Sequence, residues 1–121
     1  MPQHRHQLRL RQQKLRQRQR KQGLSSNRCV IEGEVIESEG LRYTPAGLAR
    51  VAFKLRHTSM QQEAGMQRQV QCVVTALALG EAAQQVSRLQ PGQMVKAEGF
   101  LAQRSLKIAQ LVLHIDNVTL R

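Results

Sequence analysis

From Arg28 onward the chain alternates apolar and polar residues with a period of two, a strand-like rhythm. Successive side chains of a strand point to opposite faces, so each run of this kind buries one face. In 28–36, Cys29, Ile31, Gly33 and Val35 fall on the core side, and Val30, Glu32, Glu34 and Ile36 on the other. Gly33 inside that run points to a sharp bend or a close backbone approach. A second strand over 48–57 sets Val51, Phe53 and Leu55 inward and Arg50, Lys54 and Arg56 outward, with Ala52 between them. The third, 67–76, places Val70, Cys72 and Val74 inside and Gln67, Gln69, Gln71 and Thr75 outside.

Punctuation separates the runs. Arg42-Tyr43-Thr44-Pro45-Ala46-Gly47 is turn chemistry, because Pro45 fixes its own φ and Gly47 admits positive φ. Residues 58–66 read as a polar loop closed by Gly65. Helix formers over 80–88 predict a short helix, ended by Pro91-Gly92. Strand four follows over 93–102. Strand five spans about 106–120, with Leu111, Leu113 and Ile115 in alternation and Arg104-Ser105 as a tight connection. An all-β chain with five strands and one helix between the third and fourth has the order of an OB-fold barrel.

Charge divides the 121 residues unevenly. Residues 1–24 carry eight Lys/Arg and no acid, out of a net charge of +11 for the chain. Such a block repels itself, and its natural partners are polyanions. The expected division is a basic arm over 1–26, disordered or marginally helical in isolation, and a folded domain over 27–121. Gly23-Leu24-Ser25-Ser26-Asn27 reads as the hinge. Cys29 and Cys72 sit in alternating runs without a CxxC or Cys/His cluster, and are expected as two buried thiols. No window is long and apolar enough to span a bilayer, and no apolar signal core follows the basic start, so a cytoplasmic protein is expected. His4, His6, His57 and His114 are scattered, and Glu32 and Glu34 share a strand face without a partner base. No catalysis, metal or cofactor is expected from these patterns.

Several blocks resemble the primosomal replication protein N family. They are Arg28-Cys29-Val30-Ile31-Glu32-Gly33, Arg42-Tyr43-Thr44-Pro45-Ala46-Gly47, His57-x-Ser59-x-Gln61-Gln62-Glu63-x-Gly65, and Glu98-Gly99-Phe100-Leu101-Ala102-Gln103, in family order over about 27–121. The resemblance implies a bacterial homodimeric OB-fold protein, related to single-stranded DNA-binding protein, that binds single-stranded DNA and assists the restart helicase without catalysing a reaction. Other primosome proteins, and single-stranded DNA-binding protein itself, are implied partners. Where some family members carry stacking aromatics, this chain has Met66 and Gln71. Arg42 occupies a loop position that is basic in the family, and Arg104 and Lys107 fall in a hairpin that is basic in relatives. The arm lies outside the resemblance.

The nucleic-acid-binding set expected here is therefore Arg42, Tyr43, Arg50, Lys54, Arg56, Gln71, Arg104 and Lys107. Contact would be mainly electrostatic, to the phosphate backbone. Tyr43 has two readings, stacking a base or packing over the barrel rim. An alternative for the whole protein is a primosome adaptor whose DNA binding is incidental. Strand one, with Val30 and Ile36 outward, is the expected dimer edge, because an open edge must be covered or paired.

Overall fold

The computed structural model describes residues 25–121; the expectation for the arm, 1–24, lies outside the described residues. Six strands and a helix follow in order: β1 (Cys29–Ser38), β2 (Arg42–Tyr43), β3 (Ala49–Glu63), β4 (Met66–Leu79), α1 (Glu81–Val86), β5 (Met94–Gln103) and β6 (Leu111–Leu120). The two-residue β2 is an outrigger on β3, pairing Arg42 with Arg50 and Tyr43 with Ala49. The five long strands form the barrel, and α1 lies between the third and fourth of them, as the sequence predicts. Strand order is β1-β5-β6-β4-β3-β2, and an extra β1–β3 pairing closes the cylinder. All pairs are antiparallel except β4–β6.

The inward residues are those the two-residue period selects. Val35, Val51, Leu55, Ala76, Ala78, Val95, Ala97 and Leu113 are fully buried, and Phe53 joins them at 3% exposure. Across the β3–β4 pairing small residues stand opposite large ones, Ala78 to Val51 and Ala76 to Phe53, which suits the narrow interior of a five-stranded barrel. The helix, only six residues long, closes one end with Ala83 and Val86, followed by Leu89. Asn27 ties the start of the domain to β5: its Nδ2 donates to the Leu101 carbonyl at 2.8 Å and its Oδ1 accepts from the Leu101 amide at 2.9 Å.

Several local expectations are corrected. The polar loop over 58–66 does not exist as a loop: β3 and β4 continue as one ladder from Arg50↔Leu79 to Glu63↔Met66. The tip is Ala64-Gly65, both at positive φ, as a two-residue hairpin turn requires. This hairpin runs beyond the barrel, so Cys72 is exposed rather than core, while Cys29 is half-buried. Cys72 follows the right period, but its segment has passed the end of the interior. Strand five begins at Leu111 rather than 106, and the connection before it is seven residues, 104–110. Leu111, the first residue of the strand, is exposed, while Leu113 and Ile115 enter the core as the alternation predicts.

His57 fixes the hairpin where β1–β3 pairing ends at Glu34↔Arg56. Its Nδ1 lies 2.6 Å from the Glu32 carbonyl, which only accepts, so Nδ1 carries the proton. The Ser59 hydroxyl lies 2.7 Å from Nε2 and also accepts from Gln61 Nε2 at 3.0 Å.

Two glycines allow the strands to cross closely. At Gly99, where the β5–β6 register shifts, a Cβ would sit 1.8 Å from the His114 carbonyl oxygen. At Gly33 it would sit 2.9 Å from the Arg56 carbonyl oxygen. Both neighbours are backbone and cannot swing aside. Gly99→Ala is expected to destabilise by about 3 kcal/mol or more, and Gly33→Ala by less. Urea titration of both variants checks this; equal midpoints would contradict the ranking.

Candidate nucleic-acid interface

An open cleft of about 860 Å³ lies across the outer wall of β3, β4 and β6, between the end of β1 and the 104–110 loop. Its lining includes Arg50, Ala52 and Lys54 from β3, Thr75 and Leu77 from β4, His114 from β6, and Arg104. The register explains the grouping: Ala52 pairs with Leu77 and Lys54 with Thr75, while Leu77 pairs with His114 across the parallel junction. The same period that buries Val51 and Phe53 presents Arg50, Ala52 and Lys54 to this surface.

The 104–110 loop is stitched to the wall it overhangs. The Arg104 amide donates to the Gln110 carbonyl at 2.9 Å, and Arg104 Nη1 reaches Gln110 Oε1 at 3.4 Å. Gln110 Nε2 in turn donates to Thr75 Oγ1 at 3.3 Å. Ile108 N donates to Ser105 Oγ at 3.1 Å, which tightens the turn. Arg104 is thus aimed at the cleft by a chain of hydrogen bonds ending on β4.

Of the eight residues expected from sequence, the cleft gathers Arg50, Lys54 and Arg104. Arg56 and Gln71 continue along the same outer face, opposite Val73 and Thr58, toward the hairpin tip. Arg42 and Tyr43 lie on β2, beside the cleft rather than in it, with Tyr43 63% exposed. Lys107 sits in the exposed part of the 104–110 loop.

The cations on β3 are not free. Arg50 Nη1 lies 3.3 Å from Glu39 Oε2, Lys54 Nζ 3.8 Å from Glu37 Oε2, and Arg56 Nη1 3.9 Å from Glu34 Oε2. The β1–β3 register produces this ladder by setting Glu34 opposite Arg56 and Glu37 opposite Lys54. Glu32 and Arg121 pair at 2.9 Å. Arg28 forms a two-point contact with Asp116, and the guanidinium holds that carboxyl below the usual carboxylate range. Among the described residues, Arg42, Arg88, Lys96, Arg104 and Lys107 form no such ion pair. The expectation of a one-sided basic face on β3 therefore gives way to paired charges, and of the expected binding residues only Arg42, Arg104 and Lys107, on flanking segments, are cations without an ion pair.

The sequence reading missed the other half of the cleft. Phe100 and His114 stack on the outer wall, ring centroids 5.1 Å apart and planes within 8°. Alternation along β5, with Val95, Ala97 and Gly99 inward, signals that Phe100 faces out; its partner on β6 follows from the register. Glu37 and Glu39 were also missed, because their cross-strand partners are visible only once β1 is paired with β3.

A closed five-stranded barrel with a cleft on its second and third long strands, flanked by loops, defines the oligonucleotide- and oligosaccharide-binding class. Residues 27–117 match a family model described as "Another single-strand binding protein family". Replication restart protein PriB of Nitrosomonas europaea is 40% identical over 76% of this chain and 85% of its own length. That of Shewanella halifaxensis is 35% identical over 81% of this chain and 99% of its own length. The solved PriB of Ralstonia solanacearum superposes with a TM-score of 0.71, at 35% identity over 79% of this chain and 98% of that one. The fold is shared with the single-stranded DNA binding protein of Thermus aquaticus, at TM-score 0.66 and 23% identity, over 79% of this chain and 50% of that one. The chain belongs to the PriB family of single-strand-binding-type proteins.

The ladder has a measurable consequence. Converting both Glu37 and Glu39 to Gln releases Lys54 and Arg50, and should move elution from a heparin matrix to higher salt. The double variant Glu81→Gln, Glu98→Gln has the same net charge, removes carboxylates that form no ion pair among the described residues, and should move less. Equal shifts would mean that net charge, not placement, governs the face.

Proposed function

We propose that this protein is a single-stranded DNA-binding accessory protein of replication restart, and that it assists a restart helicase within a primosome. The observation that carries this reading is the cleft across β3, β4 and β6 with Arg50, Lys54 and Arg104 on its walls. Contact is mainly with phosphates: Arg104 and Lys107 supply unpaired charge from one side and Arg42 from the other. Arg50, Lys54 and Arg56 exchange a glutamate for a phosphate when DNA arrives. Such exchange makes affinity steeply dependent on salt and tolerant of sequence.

The residues before 27 are proposed as a separate basic arm that adds non-specific attraction for the same polyanion, and 27–121 as the binding domain. The protein is proposed to work as a homodimer. Among the described residues, Cys29–Gly33 of β1 bonds to β5 on one side and to no strand on the other, and Val30 within it is 57% exposed. An unpaired strand edge of this kind is a template for a second copy.

The salt dependence is directly measurable. Anisotropy of a labelled oligothymidylate should give a log–log slope that falls by about 1.4 in the Arg104→Ala, Lys107→Ala variant, at roughly 0.7 per phosphate contact. An affinity indifferent to salt would remove the reading.

The ion-paired state of the β3 cations, and Met66 and Gln71 in place of stacking aromatics, favour a second reading in which the protein is chiefly an adaptor. Replacing Lys54, Arg56, Arg104 and Lys107 together with alanine separates the two. Direct binding expects helicase stimulation to fall with DNA affinity. Full stimulation without DNA binding would establish the adaptor.

A further inference from the structure

The cleft contains an aromatic feature that phosphate contact does not use. Phe53 borders the cleft but is only 3% exposed, and Tyr43 stands on β2 outside the lining, so among the described residues the accessible π-surface at the cleft comes from His114, backed by Phe100. Phe100 is 43% exposed on the outer wall, and its visible role there is to hold the imidazole parallel to its own ring.

The row across the wall reads Phe100, His114, Leu77, Ala52 by consecutive strand pairing. The side chains shrink along it, from two rings to an aliphatic group to a methyl. A step is thereby cut into the floor of the cleft beside the imidazole. On β3 the low end of this row lies between Arg50 and Lys54, four residues apart and so about 13 Å along the strand. The result is an apolar floor with a ring at one end and a cation on either flank. A flat aromatic group carrying phosphates on both sides fits that arrangement. A nucleobase within a strand is such a group, and every base has a face to stack whatever its edge.

We infer that His114 and Phe100 form a base-stacking subsite: one nucleobase packs against the imidazole over Leu77 and Ala52, while its flanking phosphates meet Arg50 and Lys54. The inference rests on the single-stranded DNA reading above and locates the base within it. Phe100 acts as a positioning residue, covering one face of the imidazole and keeping the ring upright. His114 is the residue that touches the base.

The test separates bases from phosphates by using two ligands of equal length, oligothymidylate and an abasic phosphodiester. His114→Ala in the full chain should weaken oligothymidylate binding by roughly 5-fold or more, the low end of stacking on one base. It should leave both the abasic affinity and the salt slope unchanged. His114→Phe keeps a ring at the position and should retain binding to oligothymidylate. Phe100→Leu, which keeps apolar bulk, should lose part of the thymidylate preference. Equal losses on the two ligands, or no loss on either, would overturn the subsite while leaving electrostatic capture intact. Wild-type protein that binds neither ligand would overturn the DNA reading and the subsite together. Thermal melts of each variant show whether the barrel is intact.

Discussion

Closure of the barrel depends on two places where backbones approach more closely than a Cβ permits. At Gly33 the bend of β1 lets one strand serve two neighbours, β5 along its first half and β3 along its second. At Gly99 the β5–β6 register slips by one residue, and a carbonyl takes the space where a side chain would stand. These two corners turn a sheet into a cylinder. They also set which residues face outward on β1, β3, β5 and β6, and hence the composition of the outer wall.

The outer wall shows how strand pairing distributes charge. β3 alone presents three cations on one face, and β1 with Glu39 just after it presents glutamates; their pairing sets them side by side at 3.3–3.9 Å. Exposed pairs of this kind contribute little to stability. Their effect is on reactivity toward other ions: each holds its cation in place and lowers its net attraction for an incoming anion. Of the unpaired cations, Arg42, Arg104 and Lys107 lie on β2 and the 104–110 loop, where the chain is held by turns and side-chain hydrogen bonds rather than by long ladders.

Much of the architecture was legible because a period of two fixes sidedness without knowledge of partners. Val51, Phe53 and Leu55 point inward for the reason the alternation gives, and Gly33 marks a close approach as expected. Sidedness does not reveal how far the interior extends. Cys72 obeys the period and is still exposed, because the hairpin outruns the barrel. The polar composition of 58–66 suggested a loop, yet a strand with both faces in solvent has no reason to be apolar. The cleft was legible on β3, where Arg50 and Lys54 stand, and illegible where it depends on register. His114 reaches it through a parallel pairing between β4 and β6, which nothing local in either segment announces.

That parallel junction also governs when the fold can be completed. The β3–β4 ladder joins residues separated by a two-residue turn, so it can assemble as soon as it is made. β6 must find β4 about 37 positions back, and β5 must find β1 about 65 back, before any inside exists. During synthesis the hairpin therefore stands for a time as a ribbon with its apolar side open to water, and shelter arrives only with the last strand.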